Sequence, residues 1–198
     1  MKMVWFTTLS ILFLVFVTPA LLGLTLKMIP ADDQPGYNSA LKLDIYEKRT
    51  ITQKFTSQEK NLTAIGMSIK NPNLNNKKDI LLNIYDMDGN LVRTGILNGR
   101  NVQDGDFIKF VFDPISDSLG KTYTFNLSSP EAGPEDLIEV FYMTTPTRSI
   151  LEYSYGGKVL PGGIPIVTFH KPDSKFEVVS SIYSSWLSRL LHLDSQKI

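Results

Sequence analysis

Few residues in this sequence could carry chemistry. Cysteine is absent, which removes disulfides, thiolate metal sites and a thiol nucleophile in one step. The two histidines, His170 and His192, stand 22 residues apart and lack the His-Glu-x-x-His spacing of a zinc protease. No Gly-x-Ser-x-Gly segment occurs, and both histidines fall in the C-terminal third, which argues against a Ser-His-Asp triad. Glu131, Glu135, Asp136 and Glu139 form a carboxylate cluster. Two acids at the right separation hydrolyse glycosides, but clusters of this kind usually line loops and meet solvent. Asp86-Met87-Asp88-Gly89-Asn90 begins like a calcium loop, yet the position that must be the bidentate Glu is Leu97. A hairpin turn accounts for Asp88-Gly89. A calcium site built from carbonyls with Asp104 or Asp106 stays open as an alternative. The expectation is a protein that is not an enzyme, with no catalytic residue, metal site or cofactor.

Composition narrows the partners. Lys and Arg number 20 and Asp and Glu number 20, for a net charge of zero. A nucleic-acid partner is not expected, because counterion release needs a cationic excess. Apolar residues at 42% and charged residues at 20% describe an ordinary folded domain. Without disulfides that domain must be held by its own core.

The elements are led by Met3–Leu26, a run of 24 residues with no charge. At ~1.5 Å per residue a helix of that length reaches about 36 Å, against a hydrocarbon core of ~30 Å. Trp5 and Phe6 near one end suit a membrane interface. Pro19, inside the run, is better tolerated in lipid than in a soluble helix. The alternative is a signal peptide cut after Ala20. Apolar residues continue beyond that point, from Leu21 to Leu26, and outlast a typical signal core. The expected partner of residues 3–26 is therefore the membrane. Lys2 and the terminal amine favour a single-pass protein with its domain on the extracytoplasmic side.

Between the termini the pattern is of strands. Thr63–Ile69 puts Ile65, Met67 and Ile69 on one face, and Phe107–Phe112 does the same with Ile108, Phe110 and Phe112. Thr122–Leu127 alternates Tyr123, Phe125 and Leu127 with Thr122, Thr124 and Asn126. Ile80–Tyr85 and Leu137–Met143 also read as strands. Such alternation packs one face and wets the other. Asp88-Gly89, Gly105, Gly120, Gly156-Gly157 and Pro161-Gly162-Gly163 supply turns. Short strands at this spacing predict an all-β sandwich or barrel.

The C-terminus changes period. Ser174 and Glu177 form a capping box. Val178, Val179, Ile182, Tyr183, Trp186, Leu187, Leu190 and Leu191 then fall on one stripe of a helix. That stripe predicts an amphipathic helix, too short and serine-rich to span a bilayer, which packs on the protein or lies in the membrane interface. The expected divisions are 1–28 as membrane anchor or signal-anchor helix, 29–38 as linker, 39–172 as the β domain and 173–198 as amphipathic helix and tail.

Within the β region, Gln53-Lys-Phe55, Asn61-Leu62, Asp86-Met-Asp88-Gly89-Asn90-Leu-Val92 and Phe110-Val-Phe112-Asp-Pro114-Ile115-Ser-Asp-Ser118-Leu-Gly120-Lys121-Thr-Tyr123 are similar to a module of bacterial membrane and envelope proteins. That module is a jelly-roll-type β-sandwich of the carbohydrate-binding, galactose-binding-like kind. The resemblance covers about Leu41–Tyr155, and its most specific part is Phe112–Ser118 with the Gly-Lys-x-Tyr that follows. It implies the fold and a setting: glycan or glycolipid as ligand, or a membrane glycosyltransferase system as partner. It transfers no binding residue.

A sugar site needs an aromatic face with polar groups at its rim. Both tryptophans, Trp5 and Trp186, lie outside the β region. Tyr153 and Tyr155, with Arg93 and Asn98, are therefore the candidate ligand residues; Tyr142 and Arg100 are further possibilities of the same kind. The competing reading makes the tyrosines ordinary strand residues. In the same way, the glycan-binding expectation competes with a structural or adaptor domain that holds a membrane protein without sugar affinity.

Overall fold

The computed structural model describes residues 2–31, 38, 40–103, 105–145 and 150–190. Contacts divide the chain into two compact units: Met1–Ile29 with Lys171–Ile198, and Pro30–His170.

The second unit is a two-sheet, antiparallel β-sandwich. Its strands are β1 (Ile29–Pro30), β2 (Lys42–Ile45), β3 (Ile51–Thr56), β4 (Leu62–Lys70), β5 (Asp79–Tyr85), β6 (Leu91–Asn98), β7 (Asp106–Ile115), β8 (Thr122–Ser128), β9 (Ile138–Phe141), β10 (Ile150–Tyr155), β11 (Lys158–Val159) and β12 (Ile166–His170). The first sheet runs β1-β12-β4-β9-β2, with β7 also paired to β4. The second runs β11-β10-β3-β8-β5-β6. Period-two burial explains the layering. β3 buries Ile51, Gln53 and Phe55, β5 buries Ile80, Leu82 and Ile84, and β8 buries Tyr123, Phe125 and Leu127. The first sheet answers with Ile65, Met67 and Ile69 from β4 and Ile108, Phe110 and Phe112 from β7. Phe55 packs its ring 6.0 Å from Tyr123 and 6.1 Å from Phe125.

Three features join the sheets. The fully buried Gln53 amide donates to Ile164 O at 3.0 Å and accepts from Ile164 N at 2.6 Å. Arg93 ties β6 to the end of β7 through Asp113 O at 2.8 Å and Pro114 O at 3.1 Å. Ser118 donates to Glu59 O at 2.7 Å and accepts from Leu62 N at 3.0 Å. The segment that carries the family resemblance is thus occupied with folding.

The two outer faces differ. On the first sheet Gly66 leaves room for the rings of Phe107 and Phe169, which lie 6.4 Å apart. Lys109 Nζ sits 4.4 Å from the Phe169 ring centre, so aromatic side chains and a lysine stem lie over this face. The outer face of the second sheet carries a polar array instead.

The first unit is helical. The helices are α1 (Lys2–Leu12), a π turn over Phe13–Val17, α2 (Thr18–Thr25) and α3 (Lys175–Leu190). Leu12, Val17 and Thr18 all keep right-handed helical dihedrals, so the turns run unbroken from Lys2 to Thr25. Thr18 N bonds back to Phe13 O, a widened turn just before Pro19, which has no N–H to give. Among the described residues no single helix is long and apolar enough to cross a membrane. The continuous helical run is nonetheless apolar on all sides, with Trp5, Phe6, Leu9, Phe13 and Phe16 all exposed. α3 starts with Ser174 Oγ accepting from Glu177 N at 3.2 Å, while the Glu177 carboxylate accepts from Asp173 N at 2.7 Å. That is the capping box displaced by one residue.

Candidate functional site

The four sequence-derived ligand residues lie on two strands separated by three others. Tyr153 and Tyr155 belong to β10, Arg93 and Asn98 to β6, and β3, β8 and β5 run between them. Tyr153 is 1% exposed, an inward-facing core residue opposite Gln53. Tyr155 donates its hydroxyl to Asp44 O at 2.8 Å. Arg93 is committed to the backbone of β7. Asn98 donates to Asp79 Oδ1 at 2.8 Å and to Lys77 O at 3.1 Å, and caps Arg100 N at 3.1 Å. Each side chain therefore has a structural task, and the structure does not bring the four together. Tyr142 is half-buried against the same core.

The buried Tyr153 hydroxyl has no hydrogen-bond partner among the described residues. Desolvation raises its pKa well above the usual tyrosine range, with smaller contributions from Tyr142 and Tyr155. A raised folded-state pKa means stability that is intact below about pH 10 and is lost as pH climbs from there toward the folded value. Desolvation shifts Tyr123 the same way. Tyr153→Phe should leave stability at pH 7 unchanged or raised by about 1 kcal/mol, since no bond is lost. It should also flatten the alkaline limb. Urea melts at pH 7 and pH 10.5 check this, and a variant as alkali-sensitive as the parent contradicts it.

The carboxylates are equally dispersed. Glu139 pairs with Lys42 at 2.9 Å, and Asp136 accepts from Gly133 N. Asp86 Oδ1 takes Asp88 N at 3.0 Å and Asn90 N at 2.8 Å, while Oδ2 takes Asn90 Nδ2 at 3.1 Å. These bonds, led by the Asn90 side chain, hold the Asp86 carboxyl below its ordinary pKa. The carboxylate closes the β5–β6 turn, where Gly89 takes φ +82°. Among the described residues no cluster of three metal-ligating side chains is found. Asp104 and His192 lie outside the described residues.

The outer face of the second sheet is where polar side chains converge. Register aligns Ser154, Thr52, Asn126, Asn83 and Thr94 in one cross-strand row. Glu152, Lys54, Thr124 and Tyr85 form the next. Asn126 Nδ2 donates to Thr52 Oγ1 at 3.1 Å, and Thr94 Oγ1 donates to Asn83 Oδ1 at 2.8 Å. Lys54 Nζ meets Glu152 Oε2 at 3.1 Å. Two shallow depressions lie here, sharing Lys54 and Thr124. One of about 230 Å³ is lined by Thr52, Lys54, Thr124, Glu152 and Ser154. The other, of about 310 Å³, adds Tyr85, Asp86, Met87 and Gly89. Hydroxyls, amides, one ammonium and the carboxylates of Glu152 and Asp86 offer donors and acceptors around the two depressions, and Tyr85 supplies an aromatic edge.

Alternation in Thr122–Leu127 marks Thr124 and Asn126 as outward, but nothing in that pattern distinguishes a binding face from a merely wet one. The matching signal in β3, Thr52-x-Lys54-x-Thr56 between buried Ile51, Gln53 and Phe55, is present in the sequence; the polar Gln53 in the buried register obscures it.

No family model and no curated protein matches the sequence. Among solved structures, the chain is similar to a Paenibacillus sp. cycloisomaltooligosaccharide glucanotransferase complexed with cycloisomaltoheptaose. Identity is 14% and the TM-score 0.36, over 58% of this chain and 16% of the enzyme. The chain thus corresponds to about one-sixth of that enzyme's length.

Proposed function

We propose that this protein is a non-enzymatic, membrane-anchored β-sandwich of jelly-roll type that binds glycan or glycolipid, or supports envelope glycan assembly, on the extracytoplasmic side. The observation that carries the ligand reading is the polar double row on the outer face of the second sheet. Ser154, Thr52, Asn126 and Asn83 present hydrogen-bonding groups at the strand spacing of ~4.8 Å, a period suited to a chain of hydroxyl-bearing rings. Lys54, Glu152 and Tyr85 border the same furrow. The resemblance around Phe112–Tyr123 supports the same reading. Asp86, Asp88 and Asp117 line one depression beside Tyr123, but Asp86 is spent on the β5–β6 turn and Asp117 on Lys121, which favours binding over hydrolysis by a free acid pair.

Anchoring rests on the uncharged helical run from Met3 to Thr25 and its exposed apolar side chains. Exposing such a surface to water is unfavourable by about 25 cal/mol per Å². The full chain should stay in the membrane fraction through alkaline carbonate extraction, and a chain lacking residues 2–28 should be released. Release of the full chain would contradict anchoring.

An adaptor without sugar affinity is the second reading. Ile96 on β6 and Val111 on β7, both exposed on strands that end their sheets, favour it. A silent glycan panel together with a specific membrane protein partner would select it.

A further inference from the structure

We infer that α3 is a second membrane-inserted helix, lying antiparallel along the N-terminal helix with bilayer hydrocarbon covering its outer side. This rests on the anchoring proposed above and gives it a shape: a helical hairpin rather than a lone helix.

Three contacts set the alignment. Lys175 Nζ donates to Leu26 O at 2.9 Å. Val179 and Ile182 lie against Gly23, where an added β-carbon would stand 3.2 Å from Val179 Cγ2 and 3.0 Å from Ile182 Cδ1. Tyr183 donates its hydroxyl to Phe16 O. Rising numbers on α3 meet falling numbers on the partner, so the helices are antiparallel. The contacts extend over ten residues of the N-terminal helix, about 15 Å. A helix lying flat in the interface would cross a spanning helix steeply and touch it at about one turn. Contacts along this length require α3 to follow its partner into the membrane.

The chemistry of α3 fits that depth. Lys27 and Lys175 mark the charged end of the hairpin. Tyr183 lies eight residues beyond Lys175, about 12 Å, close to the middle of a ~30 Å core. No charged residue occurs between Glu177 and Arg189. Several hydroxyls are satisfied within the helices, as lipid demands. Ser181 Oγ donates to Val178 O at 3.2 Å, Ser188 Oγ to Ser184 O at 3.2 Å, and Thr8 Oγ1 to Val4 O at 2.9 Å. The other α3 serines can make the same turn-back bond. The Tyr183 hydroxyl reaches a carbonyl of the π turn, where Pro19 interrupts the regular ladder. A small residue at the closest approach, Gly23, is how helices pack where water gives no hydrophobic drive. Trp186 and Leu187 remain 43% and 52% exposed, and Phe13 and Phe16 remain exposed on the partner helix. Both helices of the hairpin therefore present apolar surface to the same medium.

The chain has two tryptophans, so Trp5→Phe leaves Trp186 as the only one. The full-length Trp5→Phe protein is reconstituted in phosphatidylcholine–phosphatidylglycerol vesicles containing brominated phosphatidylcholine. Quenching of Trp186 by bromines near the chain ends should be about twofold stronger than by bromines near the headgroup. Adding Gly23→Leu should separate the helices and invert that ratio while the protein stays vesicle-bound. Stronger headgroup-side quenching, no quenching of a vesicle-bound chain, or an unchanged ratio in Gly23→Leu overturns the hairpin and leaves anchoring intact. Failure to bind vesicles overturns both. Far-UV circular dichroism on each variant confirms that the β domain is folded.

Discussion

Gln53→Leu should lower the stability of the sandwich by about 3 kcal/mol, a large part of the 5–15 kcal/mol typical of a domain. Gln53 occupies a buried position in β3, between Ile51 and Phe55, with Phe125 and Tyr153 as its cross-strand neighbours. Its amide holds both backbone groups of Ile164. That residue lies where the chain leaves β11 in the second sheet and crosses to β12 in the first. Leucine has a similar volume and suits the core, so packing changes little. What is lost is the pairing of one N–H and one C=O in a dry interior, each costing about 1–3 kcal/mol when left unmet. Leucine burial offsets part of that. The crossing is also held elsewhere: Leu160 N donates to Tyr153 O at 3.1 Å, Gly162 takes φ +94°, and Gly163 and Met143 exchange backbone bonds at 2.8 and 2.9 Å. Gln53→Glu should be worse than leucine, because a carboxylate cannot donate to Ile164 O and its charge would be buried. Urea midpoints measure both. A Gln53→Leu protein as stable as the parent would show that the amide clamp does not hold the sheets.

Tyr85→Ala and Lys54→Ala should each weaken glycan binding about tenfold or more, with little change in folding. Truncating an aromatic or charged residue at the centre of a binding surface typically costs more than 1 kcal/mol. Both positions lie on the outer face, where cutting back a side chain opens no cavity. Lys54 borders both depressions and is held by Glu152 in a partly exposed pair, worth little to stability. Its value to a ligand lies in the donors it presents. Asn126→Ala should have a smaller effect of the same sign, since Asn126 is partly spent on Thr52. Titration of each variant with the best-bound glycan, beside a melting curve, separates binding from folding. Equal affinity in Tyr85→Ala and Lys54→Ala would move the ligand away from this face.

Much of the sandwich is legible in the sequence because one residue type dominates each face. Ile65, Met67 and Ile69 face inward as alternation predicts, as do Ile108, Phe110 and Phe112. Asp88-Gly89 forms the turn between β5 and β6. β3 and β10 are harder to read. Gln53 and Tyr153 put polar atoms in the buried register, and for Gln53 only the crossing loop that it grips explains that choice. The site was less legible than the fold for a related reason. Tyr153, Tyr155, Arg93 and Asn98 are the residue types a sugar site uses, but the same donors and rings also close a sandwich. Which task they perform depends on whether Asp44 O, Asp113 O, Pro114 O and Asp79 are near, and these contacts span up to 111 residues of sequence. The polar double row is assembled across β10, β3, β8 and β5, and no local pattern announces it.

The central claim is that the outer face of the second sheet binds glycan. Its most direct measurement is a glycan panel probed with the full chain in lipid nanodiscs, beside Tyr85→Ala and Lys54→Ala. Retention of a related set of glycans by the parent, lost in both variants while both remain folded, is the result predicted. A panel silent for the parent, or binding untouched by either substitution, would contradict it.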